Sequence, residues 1–168
     1  MKNHKLSKLL LASVISSLTV PTFAQQLEEV VVTASKRAEN LQDIPQAVTA
    51  FSSERLVELG IVETSDLMGA VPNIQVTSAY GRTQPNFSIR GISVANEFSA
   101  ATASPVGVYV DEVYQSFRAS HGQQLFDLES VEVLRGPQGT LYGRNTTGGA
   151  VNVNTIKPSL GEGASGFL

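Results

Sequence analysis

Cysteine and tryptophan are missing from this 168-residue sequence, and histidine occurs only at His4 and His121. Without cysteine there is no disulfide framework, no thiol nucleophile and no cysteine-type zinc site. One histidine in the body of the chain has no second ligand beside it, so it reads as an exposed loop residue and no metal is expected. Basic charge is also scarce, with 12 Lys and Arg against 15 Asp and Glu. Three of those lysines, Lys2, Lys5 and Lys8, lie in the first eight positions. The remaining body is acidic, which argues against nucleic acid as a partner because phosphate binding needs a basic patch. No Gly-x-Ser-x-Gly elbow is present. Gly136–Asn145 is glycine-rich, but no Gly-Lys-Ser/Thr ends it, so it is not a phosphate loop. Asp111 and Glu112 are neighbours in a strand-like run and point to opposite faces, which is poor geometry for an acid/base pair. Neither an enzyme nor a bound cofactor is expected.

What is present is organised around Val131–Thr155, VEVLRGPQGTLYGRNTTGGAVNVNT. Val131 and Val133 at one end, and Val151 and Val153 at the other, alternate with other residues at the period of a strand. Between them, 136–149 holds five of the chain's 14 glycines. That content permits left-handed and tightly folded backbone. A loop of this length without helix or strand period is usually functional.

Residues 1–24 have the features of a secretory signal. A lysine-rich start precedes the short apolar stretch Leu9–Val20, and small residues end it, predicting cleavage after Ala24. The apolar stretch is too short to span a bilayer, which takes about 20 residues. Next, Val30, Val31 and Val32 favour extended chain. On the residues alone this run is either an edge strand or an arm that becomes a strand when a partner supplies the ladder.

Pro45 extends the chain into a short strand at Val48–Phe51. Ser52 or Ser53 is placed to cap a helix over Glu54–Leu59, stopped by Gly60, with Leu56 and Leu59 on its inner face. A second short helix is predicted over Thr64–Ala70, with Leu67 and Met68 packing inward. Strands follow at Ile74–Thr77, Phe87–Arg90 and Gly107–Tyr114, and a short helix is predicted over Gly122–Leu128. Two loops, 79–86 and 94–105, carry the contact-capable side chains Tyr80, Arg82, Asn96 and Phe98. Arg90 and Arg135 each end a strand just before a glycine. They are either solvated or aimed at a carboxylate, with Glu129 and Glu132 as partners inside the chain for Arg135.

The run ESVEVLRGPQGTLYGRNTTGGAVNVNT closely resembles the closing part of the plug domain of TonB-dependent outer-membrane receptors. The resemblance extends from about Glu28 to Pro158. It implies an α/β (α+β) plug: a small mixed sheet of about four strands, short flanking helices and long glycine-rich loops. EEVVVTA, Glu28, Glu29, Val30, Val31, Val32, Thr33 and Ala34, looks like the TonB box, within a flexible segment 25–42. The plug itself would then occupy 43–158. Only Gln25, Gln26 and Leu27 separate Ala24 from Glu28, so an intervening signalling domain is not expected. The family also implies that Arg90 and Arg135 latch the plug to glutamates on the barrel wall. In the same way it implies that Tyr80, Arg82, Asn96 and Phe98 face the ligand or the barrel. The implied partners are TonB, a C-terminal barrel of 22 strands, and a small nutrient, most often a ferric siderophore. Residues 159–168 would be the approach to that barrel, which 168 residues do not contain. The implied function is the plug part of an energised nutrient receptor in the outer membrane. The alternative is a free-standing periplasmic plug that binds TonB or a small ligand without forming a channel. Two departures from the family pattern are Glu112, where glycine is frequent in a turn, and Asn154, where an apolar residue is usual.

Overall fold

A computed structural model describes residues 31–96, 98–99 and 102–158. The predicted signal 1–24, residues Glu28–Val30 and the segment 159–168 lie outside the described residues.

The fold is built on one mixed sheet of five strands, one more than expected. In chain order these are β3 (Val48–Ser52), β6 (Val106–Val110), β7 (Val113–Tyr114), β8 (Leu128–Arg135) and β9 (Gly149–Thr155). Their spatial order is β3-β8-β9-β6-β7. β8 pairs antiparallel with both β3 and β9, while β6 runs parallel to β9. The two ends of the glycine-rich stretch are therefore adjacent strands at the middle of the sheet. Two small ribbons complete the strands: β1 (Val31–Val32) with β2 (Glu39–Asn40), and β4 (Ile74–Thr77) with β5 (Asn86–Ile89).

Alternation along the central strands gives the sheet two different faces. Val131, Val133, Val151 and Val153 point to one side, into a core shared with Phe51, Leu56, Leu67, Ile74, Phe87 and Ile89. That side is covered by helix α1 (Ser53–Glu58), helix α2 (Leu67–Ala70) and the β4–β5 ribbon. Burying each such side chain contributes on the order of 1.5–3 kcal/mol. The other side carries Leu134, Ala150 and Tyr109, and is covered by Val32, Ala34 and Ile44 of the N-terminal segment together with Tyr142.

Several local expectations are corrected by long-range contacts. α1 is capped as predicted, with Ser52 Oγ accepting from the Arg55 amide. Leu59 nevertheless turns outward past the helix end, and Ile61 takes the buried position. The second helix begins as a 3-10 turn over Thr64–Asp66, and Met68 is exposed while Leu67 is fully buried. No helix forms over Gly122–Leu128. Gln124 bridges to Glu63, the Leu125 amide bonds Val62 O at 2.7 Å, and Asp127 adopts φ +54°. Extended pairing with 62–64 wins over a weak local preference, and Phe126 points to solvent rather than to the core. His121 is buried, not exposed. Its Nε2 lies 2.9 Å from Gln115 O, and burial lowers its pKa, opposed by that bond. The predicted strand Gly107–Tyr114 is a hairpin. Asp111 and Glu112 both take positive φ, at +46° and +68°, and β7 folds back on β6. A turn with two left-handed central residues favours glycine at the second, which accounts for glycine being usual where Glu112 stands. The loop 136–149 contains a single helical turn, α3 (Gly139–Tyr142).

Candidate functional site

The first element of the site is the N-terminal strap, 31–42. The sequence predicts a flexible segment; the structure docks its described part onto the polar face of the sheet. Glu132, in the middle of β8, is fully buried there. Its Oε1 accepts from the Thr33 amide at 2.6 Å and from Thr33 Oγ1 at 3.1 Å. Asn152 Nδ2 and Asn154 Nδ2 each donate to the same carboxylate at 3.3 Å. Four neutral donors thus surround one buried carboxylate, an arrangement suited to an acceptor-only group. Asn154 also bonds Ser130 Oγ at 2.9 Å, so this departure from an apolar residue belongs to the same network.

Aromatic side chains hold the rest of the strap. Tyr142 Oη donates to Ala34 O at 3.0 Å, and Tyr109 Oη donates to Tyr142 O at 2.6 Å. Lys36 Nζ lies 4.9 Å from the Tyr142 ring centroid, within cation–π range, and 3.9 Å from Glu112. Burial, followed by the Glu132 carboxylate, pushes the Tyr142 phenol far above its ordinary pKa, so it stays a neutral donor. Within the strap, the Lys36 amide bonds Thr33 O at 2.8 Å, and Val31 and Val32 pair with Asn40 and Glu39. Of the seven residues 28–34, Val31, Val32, Thr33 and Ala34 are described, and Val32 and Ala34 are fully buried.

The second element is an arginine corner. The Arg90 amide bonds Asn73 O at 2.9 Å, while Arg135 Nη1 reaches Pro72 O at 3.5 Å. The Arg90 guanidinium lies over Gly136, where an added Cβ would stand 3.2 Å from Nη1. The two arginines therefore meet the same short segment of chain, and Arg135 Nε has no hydrogen-bond partner there. Glu132 does not serve Arg135, because the alternation turns it to the opposite face and onto Thr33.

The third element is a loop tip. Tyr80 and Phe98 meet edge to face with ring centroids 6.3 Å apart. Tyr80 Oη donates to Phe98 O at 2.9 Å, and Asn96 Oδ1 accepts from the Phe98 amide at 3.0 Å. Both rings are largely exposed. Arg82 is not part of this tip. Its guanidinium pairs with Glu63 at 3.2 Å and Asp66 at 3.1 Å, on the wall of a cleft of about 610 Å³ that also includes Met68, Val76 and Pro85.

Sequence reasoning missed Glu132, Asn152 and Asn154 as a unit. The available signal was parity: all three alternate with the core valines and so share the face opposite to them. Tyr142 and Tyr109 carried no local signal, because their partner Ala34 is 108 residues from Tyr142.

A five-stranded mixed sheet with helices on one side and an N-terminal strap on the other, with RGP at the end of β8 and GGAVN leading into β9, is the architecture of a plug. Residues 40–150 match the family model described as TonB-dependent Receptor Plug Domain, and the chain belongs to that family. It is 34% identical over 138 residues to the pesticin receptor of Yersinia pestis, covering 82% of this chain and 20% of that protein. It is also 26% identical to a vitamin B12 transporter of Vibrio vulnificus, covering 90% of this chain and 25% of that one. Among solved structures, the ferric yersiniabactin uptake receptor FyuA from Yersinia pestis superposes with a TM-score of 0.61 at 34% identity, over 67% of this chain and 17% of that one. The chain thus spans about a fifth to a quarter of the length of these relatives.

Proposed function

We propose that this chain is the plug portion of a TonB-dependent outer-membrane receptor that takes up a scarce nutrient, with a ferric siderophore as cargo. The observation that carries this reading is the 34% identity, over 67% of the chain, to a protein solved as a ferric yersiniabactin uptake receptor. Export would use the signal 1–24. The plug would sit inside a 22-stranded barrel, with no chemistry of its own. Arg90 and Arg135 would meet carboxylates of the barrel wall. Among the described residues the Arg135 guanidinium makes one long hydrogen bond, Nη1 to Pro72 O at 3.5 Å, which supports that role because donors remain for a carboxylate. Tyr80, Phe98 and Asn96 would present to the ligand a tip of two exposed rings and a polar amide. Arg82, already held by Glu63 and Asp66, would shape the cleft beside it.

Residues 28–34 would pair as a strand with TonB, which draws on inner-membrane energy to displace the plug. β-augmentation of this kind depends on main-chain hydrogen bonds. Uptake of radiolabelled ferric siderophore and of cobalamin by iron-starved cells producing the whole receptor tests the reading. Siderophore uptake that disappears in the Val31→Pro variant while surface binding persists is the expected result. Cobalamin uptake alone would reassign the cargo, and uptake indifferent to the proline would remove the role given to 28–34.

A further inference from the structure

The loop 78–85 closes the β4–β5 ribbon and carries Tyr80 of the aromatic tip. Much of it is bonded to itself. Ser78 Oγ bonds Gly81 O, Thr83 Oγ1 donates to Tyr80 O at 3.3 Å, and the Gln84 amide reaches Gly81 O at 3.5 Å. A turn closed on itself moves as a unit, so the place of the Tyr80 ring depends on what ties the turn to the body of the fold. Among the described residues, the side chain that makes this tie is Arg82. Its Nε lies 3.2 Å from Glu63 Oε2, and its Nη2 donates to Asp66 Oδ1 at 3.1 Å.

The two acids are themselves held. Asp66 Oδ2 accepts from the Val62 and Glu63 amides at 3.1 and 3.0 Å. The Leu125 amide bonds Val62 O at 2.7 Å, and Thr64 Oγ1 donates to His121 O at 2.6 Å. The same stretch, 121–125, also backs the turn. A Cβ added at Gly122 would stand 2.4 Å from Arg82 O and 2.6 Å from Thr83 O. Turn, acids and backing segment thus make one frame, with Arg82 as its crosspiece.

We propose that Arg82 is a positioning residue for the aromatic tip: held by Glu63 and Asp66, it keeps Tyr80 against Phe98 and does not itself touch ligand. The proposal rests on the reading of this tip as facing the ligand. Charge points the same way. One guanidinium meets two carboxylates, so the pairing leaves no surplus positive charge for an anionic ligand. The planar fork of arginine suits a crosspiece, because separate nitrogens reach separate acids. Arg82 is largely exposed, so these ion pairs add little to stability. What they govern is the fraction of molecules with the tip in place, and ligand affinity falls with that fraction.

Glu63→Gln combined with Asp66→Asn removes both charges and keeps an oxygen for the Val62 and Glu63 amides. Arg82→Gln removes the crosspiece from the other side. The sequence has no tryptophan, so Phe98→Trp places a single indole at the tip and retains the carbonyl that Tyr80 Oη bonds. Fluorescence anisotropy of that indole is read in the full chain, as parent, Arg82→Gln, the amide pair, and all three changes together. Equilibrium binding of the radiolabelled ferric siderophore that supports uptake is read in the whole receptor, with Phe98 in place.

The expected result is a lower anisotropy in every variant at an unchanged denaturation midpoint. The Kd should rise about fivefold in each, the change that the upper end of an exposed pair's worth corresponds to. The triple variant should be no weaker than the others, because both sides act through one contact. A merely structural contact would lower the midpoint and leave the indole held in the folded chain, which overturns the proposal. Effects that add, or a loss in Arg82→Gln well beyond that of the amide pair, make Arg82 a ligand contact and also overturn it. Should the amide pair not fold, an indole still held in Arg82→Gln overturns it alone. An indole freed in the variants while siderophore binding is absent or unchanged supports the crosspiece, and counts instead against the reading of the tip as ligand-facing.

Discussion

Arg90 lays its guanidinium across the α-carbon of Gly136, the glycine that follows Arg135, so close that a side chain at 136 would meet Nη1 at 3.2 Å. Gly136 also holds φ +114°, a conformation side chains rarely adopt. Two independent constraints thus fall on one position of the RGP turn. Gly136→Ala is expected to destabilise the chain by about 1–3 kcal/mol and to shift Arg90. Gly139, three residues on, has nothing within 4 Å of an added Cβ. Gly139→Ala is therefore expected to be neutral or to stabilise by about 0.5–1 kcal/mol. Chemical denaturation of the two variants beside the parent separates the cases.

The hairpin at Asp111-Glu112 makes a prediction of the opposite sign. Glu112 is exposed and its left-handed backbone costs about 1–2 kcal/mol relative to the right-handed form, a penalty glycine does not carry. The only described ion pair it would give up is the 3.9 Å contact with Lys36, an exposed pair of small worth. Glu112→Gly should raise the thermal midpoint. Asp111 differs: its carboxylate accepts from the Thr155 amide at 2.9 Å and Thr155 Oγ1 at 2.7 Å, tying the turn to the end of β9. Asp111→Ala should lower stability by about 1–2 kcal/mol, read in the same thermal scan.

His121 gives the fold a pH dependence. Burial depresses its folded pKa below the ordinary value of 6.5, with the Gln115 bond opposing and Arg118 adding to the depression. The unfolded chain therefore binds a proton first as pH falls. The stability due to a neutral, buried His121 is present above about pH 6.5 and is lost as pH drops through the lower folded value. Denaturation midpoints measured from pH 8 to 5 should fall, and the decline should flatten in His121→Gln.

At the loop tip, Tyr80 and Phe98 contact each other but expose most of their surface. Replacing either by alanine should change stability by less than about 0.5 kcal/mol. In the whole receptor the same substitutions should weaken ligand binding by about tenfold, as removal of an aromatic anchor does. Thermal scans of the chain and equilibrium binding of labelled ligand to the receptor read the two effects separately.

Much of this arrangement was legible in the residues themselves. The valine alternation in β8 and β9, the Ser52 cap and the glycine-rich turn between them are local patterns, and each appears where its period or chemistry places it. The family resemblance rested on the same residues. The strap was not legible in this way. A run of three valines near Glu28 reads equally as strand or arm, and what settles its described part is Glu132, 99 residues from Thr33. Likewise, the helix expected at Gly122–Leu128 fails because Val62 and Glu63 offer pairing from a distance. Cβ atoms at Gly122 would also collide with the backbone of Arg82 and Thr83. His121 reads as a loop residue because nothing near it in sequence announces that Thr64 and Gln115 close over it. Period and capping report a residue's own element; which distant segment covers that element they do not report.

The most direct test is calorimetric titration of the full chain with the isolated periplasmic domain of TonB. Saturable one-to-one binding that is lost on Val31→Pro, with the sheet still folded by circular dichroism, is the predicted result. No binding by the parent chain, or binding that the proline leaves intact, would contradict the assignment of residues 28–34 as the strand this plug offers to TonB.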